Sequence, residues 1–196
     1  LDPHPHRLHV LGLGVNLAEG AEPEDMVSMR VWIESHRVIT LRHRDVRALR
    51  TVGQSLDAGR GPIDAASFLA TLVDQVLGPV ATLVDEIDDQ VAALEDAALG
   101  RDVAMPRGKI ADLRRRAIAL RRFIGPQREA LARLAQLNVA WLDEPTRLRL
   151  RDAADRQART VDELDAARDR AAVTHEELAA RTDELANRRL YVLSMV

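Results

Sequence analysis

The chain has 196 residues, no cysteine, 3% aromatic residues and a formal net charge of −3. The lack of cysteine excludes disulfides and thiolate metal sites, and the near-neutral charge gives no strong field to attract nucleic acid. Abundant Leu, Ala, Arg, Asp and Glu predict long helices and helix bundles, in one or two domains. No secretory leader and no complete membrane-spanning helix is predicted. Because the first residue is Leu1 rather than Met, we expect a fragment of a longer protein.

The N-terminal part of the chain predicts a small sheet. Residues 1–7 contain two prolines and are predicted to be irregular. Apolar runs and alternation then predict about three antiparallel strands, at Leu8–Leu17, Met26–Ile33 and Arg37–Arg42. Gly12 and Gly14 do not complete a dinucleotide-binding fingerprint, because Leu17 stands where its third glycine is required.

The middle of the chain predicts helices. Apolar spacing predicts a short helix over Asp45–Leu56 and two long ones over Ile63–Leu99 and Arg107–Leu137, which a short link would join as an antiparallel hairpin. Each long helix contains an internal Gly-Pro, at Gly78-Pro79 and Gly125-Pro126. Because the apolar periodicity continues through both, we favour a kink over a break.

The last stretch, Pro145–Val196, contains no further Gly or Pro and predicts one helix about 75 Å long. Most of it is rich in charge, but Leu190–Val196 carries none, as in a helix that reaches a membrane. The predicted units are therefore residues 1–61 (sheet domain), 62–144 (helical hairpin) and 145–196 (final helix).

The densest acidic cluster lies in the first long helix. Asp85, Asp88 and Asp89 lie about one turn apart, and hard cations bind such oxygen atoms. Neutralisation by Arg114, Arg115 and Arg116 across the hairpin, or plain solvation, are the alternatives.

Four stretches resemble one known family, the CorA superfamily of divalent-cation transporters, and most closely its ZntB branch of zinc transporters. They are Val27–Ile33 with Val38–Arg44, Leu83–Asp96, Leu113–Arg128, and Val161–Asp165 with Leu185–Met195. The family's Gly-X-Asn signature follows the first transmembrane helix and lies beyond Val196.

The resemblance implies both a fold and a function. The implied fold class is α+β: a small antiparallel or mixed sheet of a CorA-type α/β/α domain, with its N-terminal part missing, then a kinked helical hairpin and a very long stalk helix. The implied function is the cytoplasmic funnel domain of a homopentameric zinc transporter in the bacterial inner membrane. Zn²⁺ is then the transported ion, with no organic cofactor and no nucleic-acid partner. This chain alone is expected to associate more weakly or differently.

The resemblance also implies site residues on the final helix. The residues implied to face the pore are Glu176, Ala180, Asp183, Asn187, Leu190 and Ser194. The residues implied to form the packing stripe are Val161, Leu164, Ala171, Leu178 and Leu185. His175 is a candidate zinc ligand, and Arg188 and Arg189 are candidate membrane-surface anchors.

Two alternative functions stay open: a CorA-type transporter of Mg²⁺ or Co²⁺, and a helical scaffold protein without transport. Two apolar segments of about twenty residues after Val196, joined by a loop with Gly-X-Asn, would favour transport over the scaffold. An enzyme is not expected, because the spacing suggests no nucleophile–base pair, phosphate loop or His-x-x-x-His ligand set.

Overall fold

The computed structural model describes residues 2–4, 7–14, 16, 20, 25–99 and 107–194, with backbone alone at 2–4, 13, 99, 107, 182 and 184–194. Within these residues, a four-stranded sheet precedes four helices. The strands are β1 (Asp2–His4), β2 (Arg7–Gly14), β3 (Val27–Glu34) and β4 (Arg37–Arg42). The helices are α1 (Arg47–Asp57), α2 (Ala65–Leu99), α3 (Arg107–Ala135) and α4 (Glu144–Ser194).

The sheet is an antiparallel meander in the order β1-β2-β3-β4. Alternation along β3 buries Val27, Met29, Val31 and Ile33 on one face, as the sequence predicts. This face packs on α1, the first half of α2, the end of α3 and the start of α4. The predicted α+β class, a small antiparallel sheet followed by long helices, is confirmed.

One N-terminal prediction is wrong. Residues 1–7 were expected to be irregular, but Asp2–His4 form the edge strand β1, which pairs with Arg7–His9 of β2. Pro3 is tolerated because an edge strand has one side on which no ladder hydrogen bond is required.

Local signals end α1 and begin α2. Gly59 has φ of 67°, and its N–H donates to the Leu56 carbonyl at 2.9 Å, which closes the last turn of α1. The Asp64 carboxylate accepts a hydrogen bond from the Ser67 N–H at 2.7 Å, and the Ser67 hydroxyl lies 3.2 Å from the Asp64 N–H. This reciprocal cap satisfies N–H groups that an uncapped helix leaves without partners.

The two long helices α2 and α3 continue through their prolines, Pro79 and Pro126, so neither helix breaks there. They run antiparallel, because Leu69 and Leu72 near the start of α2 share a core cluster with Leu131 and Leu134 near the end of α3. A second core cluster, beyond both prolines, joins residues 80–91 of α2 to residues 110–124 of α3 and 161–171 of α4.

The helix α4 is the central element of this bundle. It contacts both α2 and α3 far more extensively than these two contact each other. Between the two clusters lies Gln157 of α4, only 1% exposed, whose Nε2 is 3.5 Å from the Ile124 carbonyl oxygen of α3. The hairpin of α2 and α3 that the sequence predicts is therefore only part of the bundle, because α4 packs against both helices and supplies most of their buried contacts.

Among the described residues, one helix is long and apolar enough to cross a membrane by length and composition, Ala65–Ala98 within α2. Its apolar residues are packed against the sheet, α3 and α4, as expected for the core helix of a domain.

Candidate functional site

The candidate site lies on α4, which begins at a well-defined cap. The Asp143 carboxylate accepts a hydrogen bond from the Thr146 N–H at 3.0 Å, and Pro145 lies in the first turn, where its missing N–H has no helical partner to lose. No glycine or proline follows, so nothing interrupts the helix up to Ser194.

One face of α4 is buried throughout the bundle. Its fully buried apolar residues recur at helical spacing and are Leu150, Ala153, Val161, Leu164, Ala167 and Ala171. Three of the residues predicted for the packing stripe, Val161, Leu164 and Ala171, are among them. Leu178 is half-buried and packs against the second cluster, and the Leu185 side chain lies outside the described part of the chain.

Ion pairs fix α4 to both neighbouring helices. Asp74 of α2 accepts hydrogen bonds from Arg149 at 3.0 Å and from Arg156 at 2.5 Å. Arg121 of α3 donates through Nε to both carboxylate oxygens of Asp165, each at 3.0 Å. These partly exposed pairs lie on the flanks of the buried stripe, so they favour the same rotation of α4 about its own axis that the buried stripe imposes.

The opposite face of α4 carries a row of carboxylates at seven-residue intervals, which we call the acidic ladder. Its members are all exposed and are Asp155, Asp162, Asp169, Glu176 and Asp183. Seven residues return almost to the same side of a helix, with a drift of about 20° per interval. The ladder therefore forms one gently curving line along the side that does not pack on α2 or α3.

Two members of the ladder have arginine neighbours. Arg168 donates to Asp169 at 2.8 Å, and this hydrogen bond raises the pKa of the Arg168 guanidinium. Asp162 lies 3.9 Å from Arg128 of α3. Asp155, Glu176 and Asp183 have no ion-pair partner among the described side chains, so three of the five carboxylates are not neutralised by a neighbouring arginine there.

The sequence-predicted pore residues divide into two groups. Glu176, Ala180 and Asp183 are exposed on the ladder side. The side chains of Asn187, Leu190 and Ser194 lie outside the described part, as do those of the predicted anchors Arg188 and Arg189, although the helix itself continues to Ser194. Three ladder members, Asp155, Asp162 and Asp169, were missed at the sequence level, and their seven-residue spacing was the signal that identifies them.

The structure does not bring His175 together with the ladder. At about 100° per residue, His175 lies on the inward side of α4, between Ala171 and Leu178. It is half-buried, and its Nδ1 is buried without a hydrogen-bond partner in the described part of the chain. Its role as a zinc ligand stays a prediction.

The acidic cluster on α2 is only partly paired. Asp88 accepts a hydrogen bond from Arg170 of α4, and the Arg170 Nε lies 3.9 Å from Glu95. Asp85 and Asp89 are exposed. Neutralisation from α3 was one of the alternatives for this cluster, and the structure pairs Asp88 with α4, on which α2 packs more closely than on α3. Within the described residues, no three His, Cys, Asp or Glu side chains are grouped to hold a metal ion, so a metal at Asp85, Asp88 and Asp89 stays a prediction.

Known proteins resemble this chain over nearly its whole length. The zinc transport protein ZntB of Enterobacter sp. (strain 638) is 34% identical over 182 residues, and that of Pectobacterium carotovorum subsp. carotovorum (strain PC1) is 32% identical over 182 residues. In both cases the match covers 93% of this chain, and the chain spans 55% of the relative's length.

Solved structures share the fold. The full-length CmaX protein is 35% identical with a TM-score of 0.93, over 99% of this chain and 60% of that one. The cytoplasmic domain of ZntB from Vibrio parahaemolyticus has a TM-score of 0.79 at 23% identity, over 91% of this chain and 70% of that one, a likeness of fold alone.

A family model describes the same relationship. The model for the CorA-like Mg²⁺ transporter protein matches residues 2–196, which include the sheet, the two long helices with their internal prolines, and α4 with its acidic ladder. This chain belongs to the family of CorA-like Mg²⁺ transporter proteins.

Proposed function

We propose that this chain is the cytoplasmic funnel domain of a homopentameric zinc transporter of the bacterial inner membrane, with α4 as the wall of an axial ion path. The observation that carries the proposal is the acidic ladder: five exposed carboxylates on the side of α4 that faces away from α2 and α3. The similarity to ZntB proteins of two bacteria supports zinc as the ion.

The physical basis is electrostatic attraction. In a ring of five copies, each ladder position becomes a ring of five carboxylates, which concentrates dications near the axis. Successive rings lie about 10 Å apart along the helix, close to the Debye length of about 8 Å at physiological salt. A cation leaving the field of one ring therefore enters the field of the next, and no ring needs to bind it tightly.

Beyond the ladder, the proposal assigns Asn187, Leu190 and Ser194 to the same line. An amide, an apolar side chain and a hydroxyl in succession would take a hydrated ion from the carboxylates to an apolar constriction. Arg188 and Arg189 would then lie at the cytoplasmic surface of the membrane, where basic residues are enriched.

The test is zinc uptake into liposomes by the full-length protein with Glu176→Gln, with Glu177→Gln as the matched control. Both residues are exposed carboxylates on α4, but Glu177 is rotated by about 100° away from the ladder. We expect Glu176→Gln to lower the initial rate about threefold or more at low zinc, with less effect at saturating zinc, because one ring of attraction is lost.

The control variant is expected to stay close to the wild-type rate. Equal rates for Glu176→Gln and wild type, or equal losses in the two variants, would remove the ladder from the ion path. The same liposomes without zinc uptake in any variant would reject zinc transport itself.

Mg²⁺ is a second candidate ion, because the matching family model describes a Mg²⁺ transporter. Carboxylates accept both ions, and Mg²⁺ binds oxygen ligands while keeping several waters. Uptake of Mg²⁺ with no uptake of zinc in the same assay would replace the zinc proposal.

A further inference from the structure

The two outer helices carry opposite charges. The helix α2 has seven acidic residues and no Lys or Arg, a net charge of −7. The helix α3 has nine basic residues and two acidic ones, a net charge of +7. Such segregation is unlike a generic solvated surface, in which both signs are interspersed.

Pairing within the chain leaves much of this charge exposed. The acidic face of α2 consists of four exposed residues without an ion-pair partner among the described residues: Asp85, Glu86, Asp89 and Asp96. The basic face of α3 consists of three exposed residues within about 100° of helix rotation: Arg114, Arg115 and Arg122. Of these, Arg115 pairs with Asp112 on the same helix, and the Arg122 guanidinium lies over the Phe123 ring, 4.7 Å from its centroid.

Both faces lie at the same height along the bundle. Val84, Ile87 and Val91 of α2 belong to the second core cluster, together with Ile110 and Leu120 of α3. The residues of the acidic and basic faces alternate along their helices with these buried residues. Both faces therefore lie at the same position along the long axis of the bundle, beside residues 161–171 of α4.

Each face points away from its own core. Asp85 and Asp89 lie on the side of α2 opposite the buried Ile87, and Arg115 and Arg122 lie on the side of α3 away from the buried Ala117. The two faces of one molecule are thus turned away from each other, and a second molecule is needed to bring opposite charges together.

We propose that the basic face of α3 docks on the acidic face of α2 of a second copy, in a head-to-tail contact that repeats around a ring. The ring rests on the proposed function. Rotation about an axis parallel to α4 keeps every residue at its height, so only faces that are level can meet in a closed ring. The same arrangement turns the acidic ladder toward the axis, because the ladder lies on the side of α4 away from α2 and α3.

A second copy explains both faces at once. An anionic membrane surface or a nucleic acid would neutralise only the basic face and would be repelled by the acidic one. The contact between copies is polar and exposed, so we expect weak association that salt weakens further.

The test is sedimentation velocity of the 196-residue chain and three charge-reversed variants. The first carries Asp85→Arg and Asp89→Arg, the second carries Arg114→Glu and Arg122→Glu, and the third combines all four changes. The control is Asp57→Arg, an exposed site on α1. All changes are at exposed positions, and circular dichroism checks that each variant keeps its helical content.

We expect the wild type and the control to self-associate at about 50 mM NaCl. Their dissociation constant for self-association should be about tenfold higher at about 0.5 M NaCl. The first and second variants should be monomeric alone and should associate when mixed. The third should recover self-association, because its charges are exchanged rather than removed.

Three results would overturn the docking: a monomeric wild type at low salt, a first or second variant that associates like wild type, or a third variant that stays monomeric. Binding of the wild type to vesicles with anionic lipid, without self-association, would assign the basic face to a membrane instead. None of these results bears on zinc uptake by the full-length protein, so failure of the docking is distinguishable from failure of the proposed function.

Discussion

The inward face of α4 fixes the position of its outward face, and replacement of Leu164 with Ala tests this. Leu164 is fully buried in the cluster that joins α2, α3 and α4. The change removes apolar contact at about 0.8 kcal/mol per methylene and leaves a cavity among three helices. We expect a loss of about 3 kcal/mol in the free energy of unfolding, and a fall in Tm of about 6–12 °C.

The matched control is Leu148→Ala, on the same helix, where the side chain is 51% exposed. Both changes are Leu to Ala within α4, so their effects on helix propensity cancel and only burial differs. Thermal and urea unfolding followed by circular dichroism would measure both. A loss for Leu164→Ala no larger than that for Leu148→Ala would refute the conclusion that packing fixes α4.

Three further predictions concern local contacts. Asp64→Ala removes the cap of α2 and should lower the free energy of unfolding by about 1 kcal/mol. The hydrogen bond from the Ser67 side chain lowers the pKa of Asp64, so the stability that Asp64 contributes is present above its pKa in the unfolded chain and is lost as pH falls through its pKa in the folded chain. Asp64→Asn should therefore flatten this part of the acid-unfolding profile. A double-mutant cycle on Arg121 and Asp165 should give a coupling of about 0.5–1 kcal/mol that shrinks at high salt, because the pair, joined by one Nε–H shared between two oxygens, is only partly buried. A coupling of zero would remove it as a link between α3 and α4. Gly59→Ala should destabilise by about 1 kcal/mol, because φ of 67° is strained for a residue with a Cβ, and an unchanged melting temperature would contradict that.

Periodicity predicted the helices well because each one buries a single stripe. Predicted and observed ends of α2 and α3 agree within two residues, and the apolar pattern predicted that both helices continue through Pro79 and Pro126. Local signals failed at β1, since Pro3 disfavours a strand locally while pairing with β2 imposes one. Strand pairing is a tertiary effect that a single segment does not encode.

Partner choice was the harder part of the prediction. The sequence identified Asp88 as one of a charged cluster and left a cation, the arginines of α3 and plain solvation open, whereas the structure pairs it with Arg170, 82 residues later. Periodicity tells which side of a helix is buried but not which other helix covers it. The ladder shows the opposite case: its seven-residue spacing was legible in the sequence, but its exposure followed only from the packing of α4.

The order of the helices, with α4 after α2 and α3, has a consequence for folding during synthesis. Its hydrogen bonds to α2 join residues 75 to 83 positions apart, and α2 and α3 cover little of each other. A growing chain that has made both outer helices therefore still exposes their apolar stripes until α4 leaves the ribosome, because such distant contacts form late. The packing of α4 then completes the core and, in the same step, places the acidic ladder on the surface of the domain.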